Sequence, residues 1–447
     1  MTNEEGLGQA DGPPDAVEVR RSPYGRNPAL AAHGVRARAE IIEAARELFA
    51  RNGYQATTVE SIGEATGRSG AAVYQYFEGK AEIFGIFLRE SGTELRVLGE
   101  LFPVLTNDQN GRRDLERWIA DLIDLLTRHQ ATFLLWAQVQ FNEPGLVEIG
   151  QWNLNRFQTV IAERLVAAGA HPRTPNVVPL GIVSVVQWSY FFYLVSDAKV
   201  SRQRLEHAMA TTLLNYLFAP SGSAELQPGA GHDVDELPTI PLGDSMGLRR
   251  PVTARGVGTV QRILLAAAER LRSSGFYGTS LSDVAAAAGV SHGSVYTYWA
   301  DRDSLFATLA QDAVAAVEFR VTALPAALQT ADGLADWLDG WVSMMSAHGA
   351  VLYVWTHEVD LPAIAELTNR MNDAVNAAAA AFIDASARAP MEDPAALQVV
   401  LRAVLTDVPF VLSTQLGILP RDATYAFVTD LLRAGVGAPS FAGPPDQ

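Results

Sequence analysis

Gly53-Tyr54-Gln55-Ala56-Thr57-Thr58, followed by Ile62, Ala65, Gly67, Ser69, Val73-Tyr74-Gln75-Tyr76-Phe77, Lys80 and Phe84, is written twice in this chain. The second copy begins 222 positions later and runs without a gap: Gly275-Phe276-Tyr277-Gly278-Thr279-Ser280, then Val284, Ala287, Gly289, Ser291, Val295-Tyr296-Thr297-Tyr298-Trp299, Arg302 and Phe306. A repeat of that period is a duplicated domain. Thr57-Thr58 and Thr279-Ser280 supply hydroxyls that cap helix N-termini, and the apolar spacing after them is helical rather than alternating. Gly67 and Gly289 fall where that helix ends, and Ser69 and Ser291 cap the next one. Each copy is therefore predicted to be a helix, a tight turn and a second helix.

Outward from these runs, Ile41 to Phe49 and Ile263 to Leu271 carry apolar residues at helical spacing and are expected to pack behind each pair. Downstream, Trp118, His129 and Trp136 recur as Trp337, His348 and Trp355, at an offset of 219. The duplication thus covers whole two-part units, with about three residues lost inside the second.

The run from the Thr/Ser cap through Gly, Ser, Tyr-x-Tyr-aromatic, Lys/Arg and Phe resembles the N-terminal domain of TetR-family transcriptional regulators, and it does so twice. The resemblance implies an all-α chain of two tandem units, each a three-helix DNA-binding domain joined to a helical bundle that binds a small effector and dimerises. The expected domains are an arm (1–35), a first DNA-binding domain (36–98), a first effector domain (99–219), a linker (220–250), a second DNA-binding domain (251–320), a second effector domain (321–436) and a tail (437–447). Gly, Pro and Ala in the arm and tail, and Gly, Ser, Pro and acidic residues in the linker, predict segments without regular structure. The two units are expected to dock as a pseudo-dimer within one chain, which can dimerise further.

Net charge is −16, which by itself argues against a partner made of phosphates. The excess sits mainly behind the second repeat, because Arg255 to Arg320 holds six Arg against six Asp and Glu. Arginines cluster ahead of both repeats, at Arg20, Arg21, Arg26, Arg36 and Arg38 and at Arg249, Arg250 and Arg255. Such arms follow phosphates or enter a minor groove, or else serve only as solubilising charge. The chain has no cysteine, which excludes disulfides and thiolate metal sites. An acidic, proline-containing N-terminus without an apolar run predicts a cytoplasmic protein.

A recognition helix needs small or polar residues on its first turn to reach base edges in the major groove. The first copy offers Arg68, Ser69, Gly70, Ala71, Ala72 and Gln75; the second offers Val290, Ser291, His292, Gly293, Ser294 and Thr297. By resemblance, Thr58, Tyr74, Tyr76 and Lys80, and Ser280, Tyr296, Tyr298 and Arg302, hold phosphates of double-stranded DNA. Val73, Val295, Phe77, Trp299, Phe84 and Phe306 are expected in the core. Arg68 and Ala71 depart from the family's valine and glycine, still present as Val290 and Gly293, and Glu60 stands where some members contact bases; the first copy is the weaker reader.

The C-terminal halves are rich in large apolar side chains, from which Phe133, Trp136, Trp152 and Trp188 in one copy and Trp341, Met345, Trp355 and His357 in the other are the candidate pocket residues. A small apolar effector suits that lining, with Asn142 and Glu143, or His357 and Glu358, as a polar end. Val177 to Val195 is uncharged and long enough to span a bilayer. Burial between an effector cavity and a dimer partner explains it without a membrane. No Walker loop, dinucleotide fingerprint or His-Glu-x-x-His motif is present, so neither an enzyme nor a cofactor is expected. A co-repressor or scaffold that has kept the fold and reads DNA with one unit, or with none, is the alternative.

Overall fold

Every regular element among the described residues is helical. The computed structural model describes residues 28–139, 143–170, 177–195, 199–219, 247–357, 361–386, 393–412 and 421–437. Most of the expected arm, linker and tail lies outside these residues, as do Arg20, Arg21, Arg26, Asn142, Glu358 and the side chain of His357.

The described residues form two compact units, one drawn from within 1–99 and 125–157 and one from within 100–124 and 158–447. The first holds α1 (Pro28–Ala56), α2 (Val59–Ala65), α3 (Gly70–Val73), α4 (Lys80–Glu100) and α6 (Gln130–Val139), while α5 (Gln109–Arg128) and α7 (Pro144–Ala167) contribute to both. Its core is aromatic: Phe49, Tyr54, Phe77 and Phe84 are fully buried, with the Tyr54 and Phe84 rings edge to face at 5.3 Å. Ile41, Ala45 and Phe49 of α1 meet Ile62 of α2 and Val73 after the turn, which is the burial their helical spacing predicts.

The second unit carries α8 (Val178–Val195) and α9 (Arg202–Leu217), followed by the whole second repeat. That repeat comprises α10 (Val257–Ser274), α11 (Leu281–Ala287), α12 (His292–Tyr298), α13 (Arg302–Ala327), α14 (Ala331–His357), α15 (Ala365–Asp384), α16 (Pro394–Leu405), α17 (Asp407–Phe410), α18 (Arg421–Asp430) and a π-helical turn at Leu431–Val436. Helices α8 and α9, which end the first copy, pack directly on α16, α17 and that π-helical turn, which end the second.

This docking is specific. Arg204 on α9 makes a two-pronged ion pair with Asp393, the N-cap of α16, its Nη2 lying 2.7 Å from Oδ1. The Tyr216 ring stands edge to face with Phe427 at 5.3 Å, and the same Phe427 ring closes on the backbone of Gly181, where a Cβ would clash. Two thirds of α8 is buried inside the unit, so this apolar helix spends its hydrophobic surface on protein.

The apolar segment that corresponds to α8 in the second copy forms α16 and α17, and residues 413–420 beyond it lie outside the described set. The break between α16 and α17 falls at Thr406 (φ −110°, ψ −80°). Proline disturbs the carbonyl four residues before it, so the distortion lies ahead of the Pro409 ring that causes it.

Candidate nucleic-acid interface and effector cavity

Both helix-turn-helix elements are set by short-range hydrogen bonds. Thr58 accepts from the Ser61 amide at 3.1 Å while the Ser61 hydroxyl accepts in return from the Thr58 amide. In the second copy Ser280 and Asp283 form the same reciprocal box, and the Ser280 hydroxyl donating to it holds the Asp283 carboxyl below its usual range. Gly67 and Gly289 turn the chain at φ +66° and +64°, the left-handed region where a Cβ is penalised. Ser69 and Ser291 then cap α3 and α12 by accepting from Ala72 and Ser294 amides.

The side chains expected to face DNA lie largely on the surface. Ser69, Ala71, Tyr74 and Gln75 are exposed in the first copy, and Ser291, His292, Gly293 and Tyr296 in the second. Val73, Val295, Phe77 and Trp299 are buried beneath them. Tyr76 is half-buried against the first core, and Tyr298 is buried. Thr58 and Ser280 are exposed at the starts of α2 and α11, where a helix N-terminus favours an anion. Ser294 and Thr297 already bond inside α12, to the Ser291 hydroxyl at 2.8 Å and the Gly293 carbonyl at 2.9 Å. His292 is an exposed polar group of α12, its ring edge-on to the exposed Tyr296 at 4.7 Å.

The copies differ most at the reading helix. α3 is a single turn of four residues, whereas α12 runs for seven. Arg68 is drawn back, donating to the Thr66 carbonyl at 2.9 Å and pairing with Glu40 of α1 at 2.6 Å. The Glu60 carboxylate stands against Gly70, so an acid covers the first residue of α3. The positions matching Arg68, Glu40 and Glu60 are Val290, Arg262 and Ser282, none acidic.

Lys80 and Arg302 are engaged inside their own copies. The Lys80 ammonium donates to the carbonyls of Tyr54 (2.7 Å), Gln55 (3.3 Å) and Thr57 (3.1 Å) and lies 4.4 Å from the Tyr54 ring centre. Burial pushes its pKa down. Arg302 donates to the Phe276 and Thr279 carbonyls at 3.0 and 3.5 Å, with its guanidinium 4.0 Å over the Phe276 ring. All three ammonium hydrogens of Lys80 are thus directed at the end of α1 and the turn into α2, where they tie that turn to α4. Arg249 likewise folds onto the end of α12, its amide donating to the Tyr298 carbonyl at 2.7 Å and its guanidinium to the Tyr296 carbonyl at 3.3 Å. Arg36 and Arg255 remain exposed.

A cavity of about 1130 Å³ lies in the second unit. Its apolar wall includes Met345, Leu352, Tyr353, Trp355 and Phe410, and α8 closes it with Phe191 and Phe192. Met345 and Trp355, named from sequence, are in this wall. Trp188 stands behind it, edge to face with the lining Tyr353 at 6.0 Å. Trp341 is fully buried, stacked on Trp337 at 4.8 Å, and does not line the cavity. Phe133, Trp136 and Trp152 belong to the first unit and are half-buried there; Trp136 packs on its core. Glu143 accepts from the buried Tyr54 hydroxyl at 2.8 Å.

The sequence reading missed a polar end in the cavity. Asn369, Asn372 and Asn376 present amides at i, i+3 and i+7 of α15, and Arg402 of α16 faces them. The available signals were a polar stripe at helical spacing and one charge in an otherwise apolar helix. Among the described residues no cluster of three or more His, Asp or Glu could hold a metal ion.

Residues 41–85 and 263–309 each match the family described as bacterial regulatory proteins, tetR family. The chain is also similar to the HTH-type transcriptional repressor AcnR of Corynebacterium efficiens, at 39% identity over 61 residues, 14% of this chain and 32% of that protein. The AcnR proteins of Corynebacterium glutamicum (40% over 58 residues, 13% and 31%) and Corynebacterium diphtheriae (36% over 91 residues, 20% and 47%) are similar too. The matches span about a third to a half of the length of these relatives.

Proposed function

Because the chain belongs to the tetR family of bacterial regulatory proteins and carries the family's DNA-binding element twice, we propose that it is a DNA-binding transcriptional regulator whose operator is asymmetric. The observation that carries this reading is the pair of capped, exposed and non-identical reading helices. Gln75 offers an amide suited to adenine, whereas His292 suits the acceptors of guanine or adenine. One chain supplies both helices, so the two half-sites differ in sequence. Further chains join only where the site is itself repeated. The AcnR relatives are named as repressors, which supports repression here.

The cavity supports release from DNA by a small effector with a large apolar body. Such a ligand shifts the balance only by its difference in affinity between the DNA-bound and released conformations, so effector and operator must weaken each other reciprocally. Selection of bound sequences from a random pool, with mass measurement of the complex, tests the operator. A non-palindromic site holding one chain is expected. A perfect palindrome bound by two chains, with one reading helix unused, would overturn the asymmetric reading.

A second reading has its own support. With α3 one turn long, Arg68 held by Glu40 and Glu60 over Gly70, the first copy is poorly equipped to read bases. A protein that reads DNA with the second copy alone, and uses the first as scaffold, would protect a single half-site in a footprint.

A further inference from the structure

Helix α8 carries no charged side chain, and α16 carries one, Arg402. That residue lines the cavity. Its Nη2 donates to the Asn372 amide oxygen at 2.8 Å, its guanidinium lies 4.5 Å over the Phe192 ring, and its Nε is buried without a partner. Among the described residues no carboxylate forms an ion pair with it. Asp407, the acid whose field it feels, is 5% exposed and accepts from the Thr406 hydroxyl at 3.0 Å. Burial pushes the guanidinium pKa down. A cation drawn this far from water and matched mainly by a neutral amide and an aromatic face lacks the partner that compensates desolvation elsewhere in proteins.

We propose that the ligand of this cavity is an amphipathic monoanion, with its carboxylate or equivalent acid group seated between Arg402 and the α15 asparagines and its apolar body along Met345, Tyr353, Trp355 and Phe410. The proposal rests on the reading of the cavity as the effector site and adds the class of effector. A guanidinium presents its donors in a planar fork matched to a carboxylate, and the Asn369 and Asn376 amides can complete the shell. One charge is accommodated and several are not, since the remaining wall is mostly hydrocarbon and aromatic. A cationic ligand meets the repulsion of Arg402, and Asp407, the carboxylate among the lining residues, is 5% exposed and already accepts from the Thr406 hydroxyl.

The test uses the full chain and two matched probe pairs, dodecanoate against dodecanol and 1-naphthoate against 1-naphthol. Binding is followed by calorimetry and by the change in tryptophan fluorescence. The acid of at least one pair is expected to bind tenfold or more tighter than its alcohol. Arg402→Gln should bring the acid down to the alcohol's level and leave the alcohol unchanged, while Arg402→Lys keeps the preference. Asn372→Asp, which places a carboxylate beside an intact Arg402, should abolish the preference and covers the case in which R402Q does not fold. Equal binding of acid and alcohol, a preference that survives R402Q or N372D, or no binding by any of the four would overturn the proposal. Operator affinity, measured alongside, separates the two claims. An acid that binds through Arg402 and leaves DNA binding untouched sinks the sensor reading alone; an alcohol that releases DNA as well as its acid sinks the anion site alone.

Discussion

The indole Nε1 of Trp341 donates to the carbonyl oxygen of Leu405 at 2.6 Å, and that carbonyl is the one Pro409 leaves without a helical partner. In an uninterrupted helix the amide of residue 409 would bond it, but proline has no N–H to give. Trp341 therefore completes a helix sixty-four positions away in the chain and fixes the place where α16 ends beside the cavity. Trp341→Phe keeps an aromatic but smaller ring and loses the donor, and the lost hydrogen bond should cost about 1–3 kcal/mol beyond the lost packing, read as a lower urea midpoint at unchanged slope. Adding Pro409→Ala returns an N–H to the chain, so the double variant should recover part of that loss. Equal losses in the single and double variants would show that the carbonyl is not the reason Trp341 matters.

Lys80 provides a second test, because its hydrogen bonds and the family resemblance point in different directions. Lys80→Met keeps an unbranched side chain and removes the ammonium, with its three hydrogen bonds to carbonyls and its place over the Tyr54 ring. The variant is expected to unfold with a loss of about 1–3 kcal/mol and to retain the salt dependence of DNA binding. A salt slope lower by about one unit, with stability unchanged, would return Lys80 to the phosphates.

Releasing Arg68 should strengthen the first copy. Glu40→Ala removes the acid that holds it at 2.6 Å, freeing a guanidinium next to the reading turn. The expected result is tighter binding at low salt and a salt slope steeper by about one unit, since one more phosphate is neutralised. If the slope does not move, Arg68 is a structural residue of the turn.

The two reading helices should fail separately. His292→Ala is expected to relax base preference in one half-site by about 1–3 kcal/mol, and Gln75→Ala in the other, as read from sequences selected by each variant. A loss spread over both half-sites from either substitution would contradict the assignment of one copy to each.

Between α9 and α16, Arg204 holds the Asp393 carboxyl below the usual carboxylate range. A carboxyl whose pKa is lower folded than unfolded stabilises the protein above its unfolded value, about 3.9, and that contribution disappears as pH falls through the folded value. Asp393→Asn keeps a capping side chain for α16 and removes the charge. The variant should have the lower urea midpoint at about pH 7, with the two proteins converging in acid below the unfolded pKa. A gap that stays constant into acid would mean that the hydrogen bonds, and not the ion pair, join these helices.

The reading elements were legible in the sequence because local rules build them. Thr58, Ser69, Ser280 and Ser291 cap the helices they precede, Gly67 and Gly289 take the left-handed turn, and Ile62, Val73, Val284 and Val295 fall on the buried face. Each outcome depends on neighbours within a turn or two, so spacing is enough. Tertiary structure alone decided the rest. Whether Lys80 meets a phosphate or three carbonyls depends on where the end of α1 comes to lie against α4. Which tryptophan lines a cavity depends on helix rotation, and Met345 and Trp355 face inward where Trp341 bonds a carbonyl instead. Arg204 meets Asp393 across 189 positions, and Arg402 enters the cavity opposite a stripe of asparagines on another helix. No local pattern encodes those meetings, because they arise only when hydrophobic faces from distant segments close on one another and carry their polar neighbours with them.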